Sequence, residues 1–272
     1  MYTFKFFDDG NRKNFESFFG EYEQNIQTST QSFLDKIKLN DANVIEELNN
    51  ILLLKFLNFI RNPYNIKKVI NNFGVLADHY PTNEGLLREY KLLNERMDGG
   101  LERICRVFDV TREDYYKWMR IIFLSLINIS SRETMLENLI MSFISNKNYA
   151  TAVWVYSIPE NHSDKRVSLS DRAFVDLSDP GRNNLCFAFN LNSKSFIKFA
   201  LLDIEKQLDD IAPLGMNKNQ ILKSYLRLDK TISIRMIDDD KEVLAALKNY
   251  NINAVYQCHD KVFCAVPLIY GV

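Results

Sequence analysis

The sequence is poor in the residues that break or staple a chain: 272 residues contain 9 glycines, 6 prolines and 4 cysteines. Scarce glycine and proline predict long regular elements and few disordered linkers. The cysteines (Cys105, Cys186, Cys258 and Cys264) lie far apart except for the last two. That is no disulfide framework, so a reducing cytoplasm is the expected location. The opening MYTFKFFDDGNRK lacks a basic stretch followed by a long apolar one, and no secretory signal is expected there. The apolar run Ile51–Ile60 is about half of the ~20 residues needed to span a bilayer, and Lys55 and Asn58 interrupt it. No membrane association is expected. Charge of one sign is also missing: 34 Lys+Arg face 35 Asp+Glu, a net charge of -1. This weighs against a dominant nucleic-acid footprint but leaves room for a local basic groove.

Most reaction signatures are absent as well. There is no Gly-x4-Gly-Lys-Ser/Thr loop to cradle nucleotide phosphates and no Gly-x-Gly-x-x-Gly after a strand. Neither His-Glu-x-x-His nor a Gly-x-Ser-x-Gly elbow occurs. None of the 3 histidines has an arginine five residues before it.

What is present begins with the run ILLLKFLNFIRNPYNIKKV. Apolar on nearly every face, Ile51–Ile60 reads as a central buried helix. It ends in Arg61, whose charge must be paired or held at the edge of the core, because a lone buried charge is very costly. Glu23 or Glu16 is the expected partner. Asp41 is the expected cap of this helix, and Asn62-Pro63 signals the start of a short helix running to about residue 72. Leu86, Tyr90, Leu93 and Met97 form a helical stripe, as do Leu101, Ile104 and Phe108. Thr111 and Asp114 resemble a capping box opening the stripe Tyr115, Met119, Ile122, Leu126 and Ile129. Ser131 is the expected cap of one more helix, to about residue 146.

The texture changes near Tyr149. YATAVWVYSIP is β-branched and aromatic and reads as a buried strand, followed by strand-like RVSLS, AFVDL and LCFAFNL. Residues 217–250 read as helix again, with NQILKSYL and KEVLAALKNY as its firm parts. NAVYQC and KVFCAVPL suggest a closing hairpin. The expected fold is α+β: a helical region, 1–147, and a smaller mixed region, 148–272, with a short, mostly antiparallel sheet. These are two domains or one continuous one.

Several clusters invite chemistry. Cys258, His259 and Cys264 offer three soft ligands, but a structural zinc site needs a fourth; Cys264 is more simply a core residue. His162, Ser163, Asp164, Ser170 and Asp171 contain the ingredients of a hydrolase triad, yet adjacency in sequence does not bring a triad together in space. Asp238–Asp240 is expected to open a helix. Residues 203–210 are expected to form an exposed helix, since Glu205 and Lys206 are adjacent and fail the nuclease spacing.

Glu16 and Glu23, then Arg61-Asn62-Pro63, then Ser170-Asp171 before LCFAFNLNS, form a longer pattern. In order and spacing it resembles the bacterial domain-of-unknown-function 4238 family, over roughly residues 12–200. Members have a helix with Glu-x6-Glu, an apolar helix ending Arg-x-Pro, and a strand ending Ser-Asp-x-Pro. Two departures stand out: the sequence starts after the family's opening His-x-x-Pro segment or lacks it, and Arg172-Ala173 stand where a residue and proline are usual. The family carries no activity to transfer. The resemblance implies an accessory protein of mobile elements and defence islands.

Two functional expectations follow. One is an effector that binds a macromolecule, protein or nucleic acid, in phage defence or exclusion; it needs no cofactor. Arg61, Ser170, Asp171 and the loop residue Tyr80 are its candidate contacts. The other is a phosphodiesterase with Glu16, Glu23 and Asp171 holding a divalent metal and Arg61 holding phosphate. Oligomeric state is left open by both.

Overall fold

The computed structural model describes residues 19–20, 23–41, 43–93, 100–128, 134–146, 148–178, 184–204, 217, 219–220 and 232–272. The fold is α+β, with helices concentrated before residue 145 and strands after it. The chain divides into two compact units, 1–33 with 43–141 and 34–42 with 142–272. Residues 34–42 group with the second unit. No described helix is long and apolar enough to cross a membrane.

The first unit contains most of α1 (Ile26–Lys38), then α2 (Ile45–Arg61), α3 (Ile66–Phe73), α4 (Glu84–Leu92), α5 (Leu101–Phe108), α6 (Arg112–Leu126) and the start of α7 (Met135–Ile144). As its composition predicts, α2 has no exposed residue between Ile51 and Ile60, and Leu48, Ile51, Leu52, Leu57 and Ile60 are fully buried. Its start differs from expectation. Asp41 does not cap it; Val44 occupies the N-cap without a side-chain bond, and the first turn carries Glu46 and Glu47, which suit the helix dipole. Thr111 and Asp114 make the expected capping box on α6. Of the expected stripe of α6, Tyr115, Met119 and Ile122 are buried and Leu126 is half-buried, with Trp118 buried beside them. Ser131, Met97 and Ile129 lie outside the described residues. At the start of α7, Thr134 exchanges bonds with Glu137 three residues on.

The second unit is built on a five-stranded sheet of order β3-β4-β5-β1-β6. Its strands are β1 (Tyr149–Ser157), β3 (Val175–Asp176), β4 (Asn184–Asn190), β5 (Ser195–Asp203) and β6 (Ser233–Ile237). Pairing is antiparallel except between β1 and β6. A separate two-stranded ribbon joins β2 (Leu169–Ser170) to β7 (Val262–Phe263). Helix α8 (Asp240–Gln257) packs on one face of the sheet. Val243, Leu247, Tyr250 and Ala254, spaced four, three and four, meet Tyr156, Ala188 and Phe196. Tyr156 stacks on Phe196 at 4.7 Å, and Phe196 lies 5.0 Å from Tyr250.

Three expectations are corrected here. Residues 253–257 are the last turns of α8, not a strand, because Ala254 continues the helical stripe that is buried under the sheet. Residues 233–237 are a strand, since β1 supplies a parallel partner for every residue of SIRMI. Asp203, expected to begin an exposed helix, is instead the last residue of β5, and residues 205–210 lie outside the described residues. NQILKSYL falls almost wholly outside the described residues. Asp239 caps α8 by accepting from the Glu242 amide at 2.8 Å, as the acidic run suggested.

Candidate functional site

The end of α2 is shaped by one proline. In an unbroken helix the Phe59 carbonyl would accept from the amide of residue 63 and Ile60 from that of residue 64. Pro63 has no amide hydrogen, and the Tyr64 amide turns to the Asn62 side chain at 3.0 Å. Two side chains take over. The Asn65 amide donates to the Phe59 carbonyl at 3.1 Å, and the Trp118 indole donates to Ile60 at 2.6 Å. Both residues are fully buried. These satisfy groups that would otherwise be stranded inside the protein. Sequence reading missed both, although Pro63 itself was the signal that two carbonyls needed donors.

Arg61 sits on this rigid corner. Its Nη2 donates to Glu23 Oε1 at 2.5 Å, and its guanidinium lies 5.0 Å from the centre of the Phe19 ring. Glu23 is therefore the partner, as expected. The burial is less than expected: 23% of the arginine side chain and 45% of the glutamate are exposed. Water screens such a pair, so its contribution is about 0.2–1 kcal/mol rather than that of a buried one. Glu16 lies outside the described residues.

Asp171 is placed quite differently from a metal ligand. It follows β2, where the chain turns, and its two carboxylate oxygens accept three successive backbone amides. Oδ1 accepts from His259 at 2.8 Å, and Oδ2 from Asp260 at 2.6 Å and Lys261 at 3.1 Å. The Asp171 amide returns a bond to the Lys261 carbonyl at 3.1 Å. Partial burial by itself pushes the carboxyl up, but the three amides outweigh it and hold the group below the usual carboxylate range. Ser170 is buried, and its hydroxyl accepts from the Arg172 amide. The pair thus clamps the loop that leads into β7.

The other clusters disperse. The His162 ring stands 3.4 Å from the Lys165 ammonium and 4.0 Å from Asp240, while Asp164 engages Lys165. Cys258, Cys264, Cys105 and Cys186 are free thiols. Among the described residues no three His, Cys, Asp or Glu side chains converge to hold a metal ion. Glu23 and Asp171 belong to different units, and each is engaged within its own.

Tyr80 is displayed as expected, 66% exposed, with its ring edge-on to Tyr90 at 5.4 Å. Tyr90 is buried and rigid: its hydroxyl donates to the Ala77 carbonyl at 2.7 Å, and Arg120 lies 5.9 Å from its ring centre. Burial pushes the Tyr90 hydroxyl pKa up against the pull of Arg120.

Comparison with family models, curated proteins and solved structures finds no match.

Proposed function

We propose that the protein is a bacterial accessory effector that works by binding another macromolecule, in phage defence or exclusion. The observation that carries this reading is how the charged candidates are used. Arg61 holds Glu23 and Phe19, and Asp171 holds three backbone amides. What remains presented to a partner at these positions is aromatic: Tyr80, exposed and backed by the fixed Tyr90 ring. Aromatic side chains on a rigid support are the usual anchors of binding energy. The resemblance to the domain-of-unknown-function 4238 family supports the accessory-gene setting.

A plaquing assay in cells expressing the full chain tests it. Tyr80→Ala should abolish protection against phage while leaving the melting temperature unchanged, because the side chain is mostly in water. Full protection by Tyr80→Ala, together with loss in a normally folded Glu23→Gln variant, would overturn the binding reading in favour of chemistry at Glu23.

A further inference from the structure

One row of residues crosses the entire five-stranded sheet: Val175, Ala188, Lys198, Trp154 and Arg235 are successive cross-strand partners. Side chains two residues apart along a strand share a face. The neighbouring row, Phe196, Tyr156 and Ile237, belongs to the core beneath α8, so Trp154 lies on that same face at the margin of the core. The Lys198 ammonium stands 5.3 Å from the Trp154 ring centre, and Arg235 on the other flank is exposed. Trp154 and Lys198 are themselves only partly buried. No carboxylate occurs in this row, nor in the rows on either side, Cys186, Ala200, Ala152 and Ser233, and Asn190, Phe196, Tyr156 and Ile237. Neither cation has an ion-pair partner among the described residues. The acids felt along the face are Glu242, which acts on Tyr156, and Asp176, which acts on Cys186 in the row beside Lys198.

We infer that the Lys198, Trp154 and Arg235 end of this row is a binding site for single-stranded nucleic acid. A half-buried aromatic ring at the margin of the α8-covered face, flanked by cations, matches a ligand with a flat base and a negative backbone. A base stacks on Trp154; Lys198 swings its flexible stem from the ring to one phosphate, and Arg235 takes the next. A protein of net charge -1 can do this because the basic character is local. The site belongs to the second unit and Tyr80 to the first, so the inference does not depend on that reading.

The chain supplies its own reporter. Of its 2 tryptophans, Trp118 is fully buried and Trp154 is not. Titration of the full chain with short oligo-dT and oligo-U should quench tryptophan emission, and the same oligonucleotides carrying fluorescein should gain anisotropy. Trp154→Ala should weaken binding about ten-fold, in line with one lost stacking contact. Arg235→Gln and Lys198→Gln should each flatten the salt dependence by about one unit of slope. Arg235 is exposed, so that variant serves if Trp154→Ala fails to fold. No binding at low salt, equal binding of duplex and single strand, or wild-type affinity in Arg235→Gln would each overturn the assignment.

Discussion

Replacing Asp171 by asparagine keeps the shape of the side chain and removes its charge. If Asp171 served a reaction, the fold would be indifferent. The geometry gives a different expectation. Three amides, from His259, Asp260 and Lys261, point at two oxygens between 2.6 and 3.1 Å away. Asparagine has one acceptor oxygen, so at least one amide loses its partner and another faces an NH2 group. Hydrogen bonds to a charged acceptor contribute about 1.5–3 kcal/mol each and neutral ones about 0.5–1.5. Discounting for partial exposure, Asp171→Asn should cost about 2–4 kcal/mol at neutral pH. The pH dependence carries a second signature. The folded carboxyl is held below its unfolded value, so its contribution is complete above the ordinary carboxylate range and is lost as pH falls through the folded value. Urea unfolding of both proteins from about pH 7 down to about pH 3 should show the gap closing with acid. Equal stability at neutral pH, or a gap that ignores acid, would show that the amide clamp contributes nothing and would return Asp171 to the list of reactive groups.

Three other outcomes are expected. Asn251 is buried and makes four bonds, accepting from the Ser168 amide and hydroxyl and donating to the Arg166 and Tyr270 carbonyls; Asn251→Ala should lower unfolding free energy by about 2–4 kcal/mol, and a loss below about 1 would refute its role as a latch. Burial of Lys55 in α2 holds its pKa down at about 8 against an ordinary 10.5. The cost of that charge is complete below the folded value and disappears as pH rises to the unfolded one, so Lys55→Met should raise stability near neutral pH. Calorimetry should find that gain fading in alkali, and an unchanged melting temperature at neutral pH would contradict it. Trp118→Phe keeps most of the ring but strands the Ile60 carbonyl, and a loss of about 1–3 kcal/mol should appear in the denaturant midpoint.

The helical half was legible because its signals are local. The capping box at Thr111, the proline after Arg61 and the apolar face of α2 each determine their own few residues. The sheet was less so. SIRMI has no alternation strong enough to outweigh the helical pattern around it; its conformation comes from β1, about 80 residues earlier in sequence, a separation no local window contains. NAVYQC misled in the opposite sense, since a β-branched and aromatic segment continues a helix when its stripe is already buried. At the candidate site, the Arg61–Glu23 pair was readable from charge and an apolar neighbourhood. The role of Asp171 was not, because its partners are backbone amides, which every sequence contains at every position.

The proline-broken end of α2 has a consequence in time. The donor that completes the Ile60 carbonyl is Trp118, 58 residues later in the chain. At about 5–20 residues per second, a ribosome needs roughly 3–12 s to deliver that indole after Ile60 has been made. Until then the last turn of α2 must keep its carbonyl toward water, although its own side chains favour burial. The corner bearing Arg61 is thus finished only when α6 arrives, and a nascent chain halted before Trp118 should keep that turn open to amide exchange and to proteases.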